Sequence, residues 1–104
     1  MRNTPTYKLY ELQMLLQNEA TRIITASSRK TAVSLGYADG DDMVARVLKL
    51  KRNEFFKSMP ADVNPGLWQD VYITKDGTTE IYIKLQKSKD DKGIIISFKR
   101  SERE

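Results

Sequence analysis

Lysines, a tyrosine and a glutamine recur on one side of the strands that the second half of the sequence predicts. Tyr82 and Lys84 alternate with apolar residues in one segment, and Lys99 does so near the end of the chain. Gln69 would lie on the same side of the sheet if the alternation of its own strand has the matching phase. Lysines offset phosphate charge, a tyrosine ring stacks on a base and a glutamine amide reads a base edge. These residue types suit a surface that holds a phosphodiester; the alternative is an ordinary solvated sheet face.

The same residue types could also cleave RNA. Cleavage without a metal uses the neighbouring 2′-hydroxyl as nucleophile, and it needs a base, an acid and a cation for the developing charge. The sequence contains no histidine, so tyrosine, lysine, aspartate and glutamate are the remaining candidates. Unperturbed tyrosine and lysine have pKa values near 10 and 10.4, which makes both of them acids at pH 7. Clustered positive charge would have to lower the pKa of one member before it could serve as the base.

Composition narrows the class of protein. The 104 residues suit one domain, residues 1–104, and the net charge of +4 is compatible with a polyanionic partner. The absence of cysteine and histidine excludes a disulfide framework, a thiol nucleophile and the commonest zinc ligands. We therefore expect neither a metal nor a cofactor. No run of about 18 apolar residues is present, so the expected location is cytoplasmic, without membrane contact.

The first half of the chain predicts helices. Thr4, Pro5 and Thr6 are expected to open a first helix that ends near residues 18–20. Its buried stripe consists of leucines at helical spacing: Leu9, Leu12, Leu15 and Leu16.

Three further segments follow this helix. Arg22 to Ala26 is rich in β-branched residues and predicts a short strand or extended link. Ser27 or Ser28 is expected to cap a second helix, which Gly36 would end. A third helix would place Asp41 and Asp42 in its first turn. Its predicted buried stripe is Met43, Val44, Val47 and Leu48.

The second half predicts an antiparallel sheet. Trp68 to Thr74 alternates as a strand, and Asp76-Gly77 is a hairpin signal. The next strand would point one set of residues at the core: Thr79, Ile81, Ile83 and Leu85. In the last strand one set of residues would alternate with another on the opposite face: Ile94, Ile96 and Phe98 with Ile95, Ser97 and Lys99. The pattern predicts an α+β fold, in which N-terminal helices pack on one face of a C-terminal antiparallel sheet and leave the other face open.

The segment from Phe55 to Tyr72 joins the two halves. Phe55, Phe56 and Met59 continue an apolar helical pattern, so residues 52–59 predict a helical segment that Pro60 ends. Residues 61–67 predict a loop with a turn at Asn64-Pro65-Gly66.

Four blocks in this order resemble the MqsR family of bacterial toxins, which are related in fold to the RelE-like endoribonucleases. The blocks are Phe55-Phe56-Lys57-Ser58-Met59, Trp68-Gln69-Asp70-Val71-Tyr72, Ile81-Tyr82-Ile83-Lys84 and Ile96-Ser97-Phe98-Lys99. The resemblance covers nearly the whole chain, including the spacing from Gly36 to Met43.

The resemblance implies a set of active-site residues, which it places on Lys57, Gln69, Tyr82 and Lys99 of this sequence. Lys57 enters only through the resemblance, whereas strand alternation selects the other three. Lys57 and Lys99 would stabilise phosphate charge, Tyr82 would transfer a proton or stack on a base, and Gln69 would position the scissile nucleotide.

Two further residues are assigned to RNA binding. They are Lys84 and, in the expected solvated tail, Arg100.

The resemblance also implies a biological role and a partner. Such toxins cleave mRNA at short GC-containing triplets through 2′-hydroxyl attack and cause growth arrest. A cognate MqsA-like antitoxin, with a zinc-binding region and a helix-turn-helix domain, would neutralise the toxin and provide its only link to DNA. Phe56 stands where tyrosine is common in the family, and the last hairpin loop is longer and more charged. These departures bear on base preference more than on the reaction.

Two other readings of the sequence remain open. The same fold could be a non-catalytic module that binds RNA or an antitoxin, or a purely structural protein-interaction domain. Trp68, the only tryptophan, is assigned to packing in every case.

Overall fold

The computed structural model describes residues 1–64 and 66–102. Pro65 of the expected turn and residues 103–104 of the expected tail lie outside this part. Within it the chain forms three helices and five strands, with short 3-10 turns at Glu19–Thr21 and Arg52–Glu54. In chain order the elements are α1 (Leu9–Gln17), β1 (Arg22–Ile24), α2 (Ala26–Ser34), α3 (Gly40–Val47), β2 (Phe55–Pro60), β3 (Trp68–Asp76), β4 (Thr79–Lys87) and β5 (Gly93–Arg100).

The strands form a single sheet in the order β1-β5-β4-β3-β2. Strands β3 to β5 are antiparallel neighbours, as expected, and β2, which the sequence did not predict as a strand, is antiparallel to β3. The α+β class with N-terminal helices against C-terminal strands is confirmed. The short strand β1 adds a parallel edge beside β5, with Ile23 opposite Ile94. The sheet is therefore mixed. Local pattern did not predict this pairing because the two strands are about 70 residues apart.

The helices cover one face of the sheet, which we call the helix side. The core there contains α1 leucines, α3 apolar residues and alternate sheet residues. Its fully buried members include Leu12, Leu16, Val47, Tyr72, Ile83, Leu85, Ile95 and Phe98. No helix in the described residues is both long and apolar enough to span a bilayer.

The first helix begins later than expected, at Leu9 instead of Thr4 to Thr6. The buried carboxylate of Asp70 accepts hydrogen bonds from the backbone N–H groups of Thr6 (3.1 Å) and Tyr7 (2.9 Å). Arg2 exchanges backbone hydrogen bonds with Ser58 at 2.8 and 2.9 Å. The N-terminal segment is thus extended along the end of β2 and β3, because its N–H groups find partners in the sheet instead of in a helix.

Helix capping differs in one place from the expectation. Thr25, and not Ser27 or Ser28, caps α2, since its hydroxyl accepts from the Ser28 N–H at 3.2 Å. Gly36 (φ 96°) follows the C-cap residue Leu35 of α2, and α3 has an acidic first turn, both as expected.

The prediction of a helix over residues 52–59 is wrong. Residues 52–54 form a 3-10 turn and β2 starts at Phe55. The sequence is misleading because β2 has a bulge between Phe55 and Lys57. Phe55 pairs with Tyr72 and Ser58 pairs with Asp70, so two residues three apart face the same side, as they would in a helix.

A second bulge explains an error in β5. Leu85 pairs with Ile95 and Lys84 pairs with Ser97, which leaves Ile96 as the extra residue. Ile95 is therefore fully buried on the same side as Phe98, and Ile94 lies on the opposite side. The predicted grouping of Ile94 with Phe98 is wrong, whereas the separation of Lys99 from Phe98 holds.

Candidate active site

The face of the sheet opposite the helices, which we call the open face, brings five predicted site residues together. Directly paired residues share a face, so the strand register gives their arrangement in rows across the sheet. A cation row runs Lys57, Val71, Lys84, Ser97 over β2, β3, β4 and β5. The neighbouring row runs Ile73, Tyr82, Lys99 over β3, β4 and β5. Gln69 lies on the same face as Val71, two residues earlier in β3.

Both bulges are needed for this arrangement. Phe55 and Ile95 face the helix side, so in regular strands Lys57 and Lys99, each an even number of residues away, would face it too. The extra residues at Phe56 and Ile96 reverse the alternation. They bring Lys57 of β2 and Lys99 of β5 to the open face, whereas Tyr82 and Lys84 come from regular alternation in β4.

Three lysines, Lys57, Lys84 and Lys99, share this face, and none of them forms an ion pair among the described residues. Burial lowers the pKa of Lys84 below its ordinary value, and the positive charges of Lys99 and Lys57 lower it further. The carboxylate of Asp62, in the β2–β3 loop, opposes this shift by raising the pKa. The neutral form of Lys84 is thus more accessible than that of an ordinary lysine.

Tyr82 lies between two of these cations. The ammonium nitrogen of Lys99 is 5.2 Å from the centre of its ring, and that of Lys84 is 5.8 Å away. Burial raises the pKa of Tyr82 above 10, so its phenol is protonated at neutral pH. No hydrogen-bond partner for the hydroxyl exists in the part of the chain that the structure describes. The phenol is an available acid.

Gln69 has a fixed orientation. Its amide nitrogen donates a hydrogen bond to the side-chain oxygen of Gln86 at 2.9 Å. Gln86 is a buried polar side chain, 7% exposed, on the open-face side of β4. Gln86 follows Tyr82 and Lys84 in the alternation of β4, but the sequence offered no reason to include it in the site, because its partner is on another strand.

Arg100 is separated from the other assigned residues. It pairs with Ile81, a core residue, so it is on the helix side of the last strand pair instead of beside Tyr82. It also belongs to β5 and not to a free tail. Trp68 is on the helix side as well, where the guanidinium of Arg2 lies 3.6 Å from the centre of its ring and its carbonyl accepts from the Tyr7 hydroxyl.

The open face can therefore hold an anion, donate a proton and present an amide. In the described chain no group of three histidine, cysteine, aspartate or glutamate side chains forms a metal site. Lysines around a phosphate stabilise charge that develops in phosphoryl transfer. A protonated tyrosine beside them can protonate a leaving oxygen.

Comparison with known proteins connects this geometry to a family. The model of the family described as "Motility quorum-sensing regulator, toxin of MqsA" matches residues 4–100. The protein named "mRNA interferase toxin MqsR" from Escherichia coli (strain K12) is 32% identical over 98 residues. These residues are 94% of this chain and 96% of the E. coli protein.

Proposed function

The chain belongs to the MqsR toxin family, and we propose that it is an endoribonuclease that cleaves mRNA on its open face without a metal. The observation that carries the proposal is the protonated phenol of Tyr82 beside the ammonium groups of Lys84 and Lys99, with Lys57 on the same face in the row of Lys84. A single-stranded RNA backbone fits such a surface because cations neutralise phosphates and an aromatic ring stacks on a base.

We assign the base to Lys84. In its neutral form it would take the proton of the 2′-hydroxyl beside the scissile phosphate, and its lowered pKa makes that form more accessible than in an ordinary lysine. The oxygen then attacks phosphorus. Gln69 holds the nucleotide so that the attacking oxygen and the leaving oxygen are in line.

Lys57 and Lys99 stabilise the extra negative charge on the phosphoryl oxygens during attack. Tyr82 gives its proton to the departing 5′-oxygen. The P–O5′ bond breaks as the O2′–P bond forms, which leaves a 2′,3′-cyclic phosphate on one fragment and a 5′-hydroxyl on the other. Tyr82 can supply this proton because burial keeps its phenol in the protonated form at neutral pH.

The finer parts of the role rest on the family resemblance. We propose cleavage at short GC-containing triplets, growth arrest of the cell that makes the toxin, and neutralisation by an MqsA-like antitoxin. Zinc and the helix-turn-helix domain would belong to this partner, and contact with DNA would occur only through it. The description of the matching family as a toxin of MqsA supports the pairing.

The reaction is tested with the purified protein and a defined single-stranded RNA, with and without EDTA. We expect equal cleavage in both conditions and a 5′-hydroxyl on the downstream fragment. Loss of cleavage in EDTA, restored by adding a divalent cation, would refute the metal-independent reaction. A 5′-phosphate product would refute attack by the 2′-hydroxyl.

A further inference from the structure

A third row of side chains crosses the open face beside the cation row, and we call it the amide row. It lies at the end of the sheet where the β2–β3 loop begins. Met59 pairs with Gln69, Gln86 pairs with Ile94, and Ile94 pairs with Ile23. The hydrogen bond between Gln69 and Gln86 joins the two halves. The row consists of two neutral amides with apolar residues on both sides.

The hydrogen bond between the amides determines which polar groups are presented. Gln69 donates one of its two side-chain N–H groups to the Gln86 oxygen at 2.9 Å. This leaves the Gln69 oxygen as an acceptor, the second Gln69 N–H as a donor, and the N–H groups of Gln86 as donors. The described part of the chain provides no other partner for these groups. Gln86 itself is only 7% exposed, so its side chain is held in place and orients the Gln69 amide beside it.

This chemistry fits a nucleobase edge better than a phosphate. The row carries no charge, and its amides offer both a donor and an acceptor, as base edges do. Partly buried Met59 and Ile94 provide apolar surface on which a base can pack. Along a strand, two residues span about 6.6 Å. A base on the amide row is thus one step from a phosphate held by Lys57 and Lys84.

From this we infer that the amide row is a base-recognition subsite for the nucleotide next to the cut, and that Gln86 is a specificity-determining residue. The inference rests on the proposed ribonuclease function and adds a residue and a role to it. Gln86 acts in two ways: it fixes the rotation of the Gln69 amide, and its own N–H groups face the base. Uncharged donors and acceptors discriminate among bases without adding to phosphate affinity.

The test compares the purified protein with its Gln86→Leu and Gln86→Glu variants. The substrates are short RNAs that differ only in the bases flanking the cut, with each of the four bases at each flanking position. Gln86→Leu removes the N–H donors and the oxygen acceptor of the amide and keeps a side chain of similar size. Gln86→Glu keeps an acceptor for Gln69 but has no donor for the base. Gln17→Leu, at the exposed end of α1, is the matched control.

We expect Gln86→Leu to lower kcat/KM on the best RNA by about tenfold or more, the size of one good base contact. Discrimination among the four bases should shrink at one flanking position and persist at the others. Gln86→Glu should change the preferred base at that same position, and Gln17→Leu should match the unaltered protein.

An equal loss on every RNA, or an unchanged base profile in both variants, would overturn the inference. If Gln86→Leu does not fold, as judged by its thermal transition, the base profile of Gln86→Glu decides the question alone. Failure of the unaltered protein to cleave any RNA would instead refute the proposed function. The two failures are therefore distinguishable.

Discussion

The polar side chains on the two faces of the sheet differ in whether they have hydrogen-bond or ion-pair partners within the protein. On the helix side, buried Asp70, Ser58 and Thr74 all have hydrogen-bond partners. Thr74, for example, donates to a Glu54 carboxylate oxygen at 2.5 Å and accepts from Arg46. On the open face, Lys84 and Tyr82 are half-buried and have no hydrogen-bond or ion-pair partner in the described residues.

This difference separates structural polar groups from functional ones. A buried polar group without a partner costs free energy, so groups that serve only the fold are usually satisfied within it. Two helix-side atoms, the Tyr72 hydroxyl oxygen and one Arg46 nitrogen, are exceptions. The open face instead concentrates cations and a phenol whose partners would come from a ligand. Changes on the open face should therefore affect activity, and changes on the helix side should affect stability.

The largest expected effect is on activity, at Tyr82. Tyr82→Phe removes only the hydroxyl, so cleavage should fall by about 100-fold or more if this group is the general acid. The free energy of unfolding should change by less than about 0.5 kcal/mol, since no hydrogen bond is lost. Initial rates on one RNA and urea unfolding measure both quantities. Tyr10→Phe, on the exposed face of α1, is the control, and equal activity of both variants would contradict the assignment.

The next effect is on stability, at Asp70. Asp70→Ala should lower the free energy of unfolding by about 2–4 kcal/mol, because the N–H groups of Thr6 and Tyr7 lose a charged acceptor. Cleavage per folded molecule should stay within about threefold of the unaltered rate. Urea unfolding gives the first value. Cleavage rates measured without denaturant, at a temperature well below the thermal transition, give the second. Asp41→Asn, at an exposed carboxylate, should cost less than about 1 kcal/mol.

A stable Asp70→Ala protein that has lost its activity would contradict the conclusion that helix-side changes affect stability and not activity. It would place Asp70 in the chemistry of the site and not in the fold.

Strand alternation in the sequence predicted some of the site residues but not all of them. Tyr82, Lys84 and Lys99 were predicted from alternation because β4 is regular and the phase after the β5 bulge is readable from Phe98. Lys57 was predicted only through the family resemblance, since the bulge at Phe56 gives β2 the spacing of a helix. Bulges depend on the partner strand, which a single segment does not reveal.

Long-range contacts account for the other differences. The pairing of β1 with β5, the extended N-terminal segment on Asp70 and the Gln69–Gln86 hydrogen bond all join residues on separate elements. Arg100 was assigned to RNA binding by its position in the chain, and its register with Ile81 separates it from the other residues. Local pattern predicted the elements well, but it contained no information on these partners.

A smaller effect concerns pH and distinguishes a base from a fixed cation. If Lys84 is the base, cleavage rises with pH as Lys84 loses its proton. The Asp62 carboxylate raises the pKa of Lys84, so Asp62→Asn should lower that pKa and move the rising limb of the pH–rate profile to lower pH. Asp41→Asn, on α3, should leave the limb in place. A limb that moves to higher pH in Asp62→Asn would contradict the role of Lys84.

The smallest effect concerns salt. Each phosphate contact of a single strand contributes about 0.7 to the slope of log affinity against log salt. Lys57→Gln should reduce the steepness of that slope by about this amount, measured on a non-cleavable 2′-deoxy oligonucleotide. Lys89→Gln, in the exposed β4–β5 loop, should not. Equal slopes for Lys57→Gln and the unaltered protein would exclude Lys57 from phosphate binding.

The most direct test of 2′-hydroxyl attack on the open face replaces one group of the substrate. An RNA with a single 2′-deoxy nucleotide on the 5′ side of the mapped cut lacks the nucleophile and keeps every phosphate that the lysines bind. Cleavage at that bond should disappear while affinity for the RNA stays within about threefold. Continued cleavage at the substituted bond would contradict 2′-hydroxyl attack on the open face.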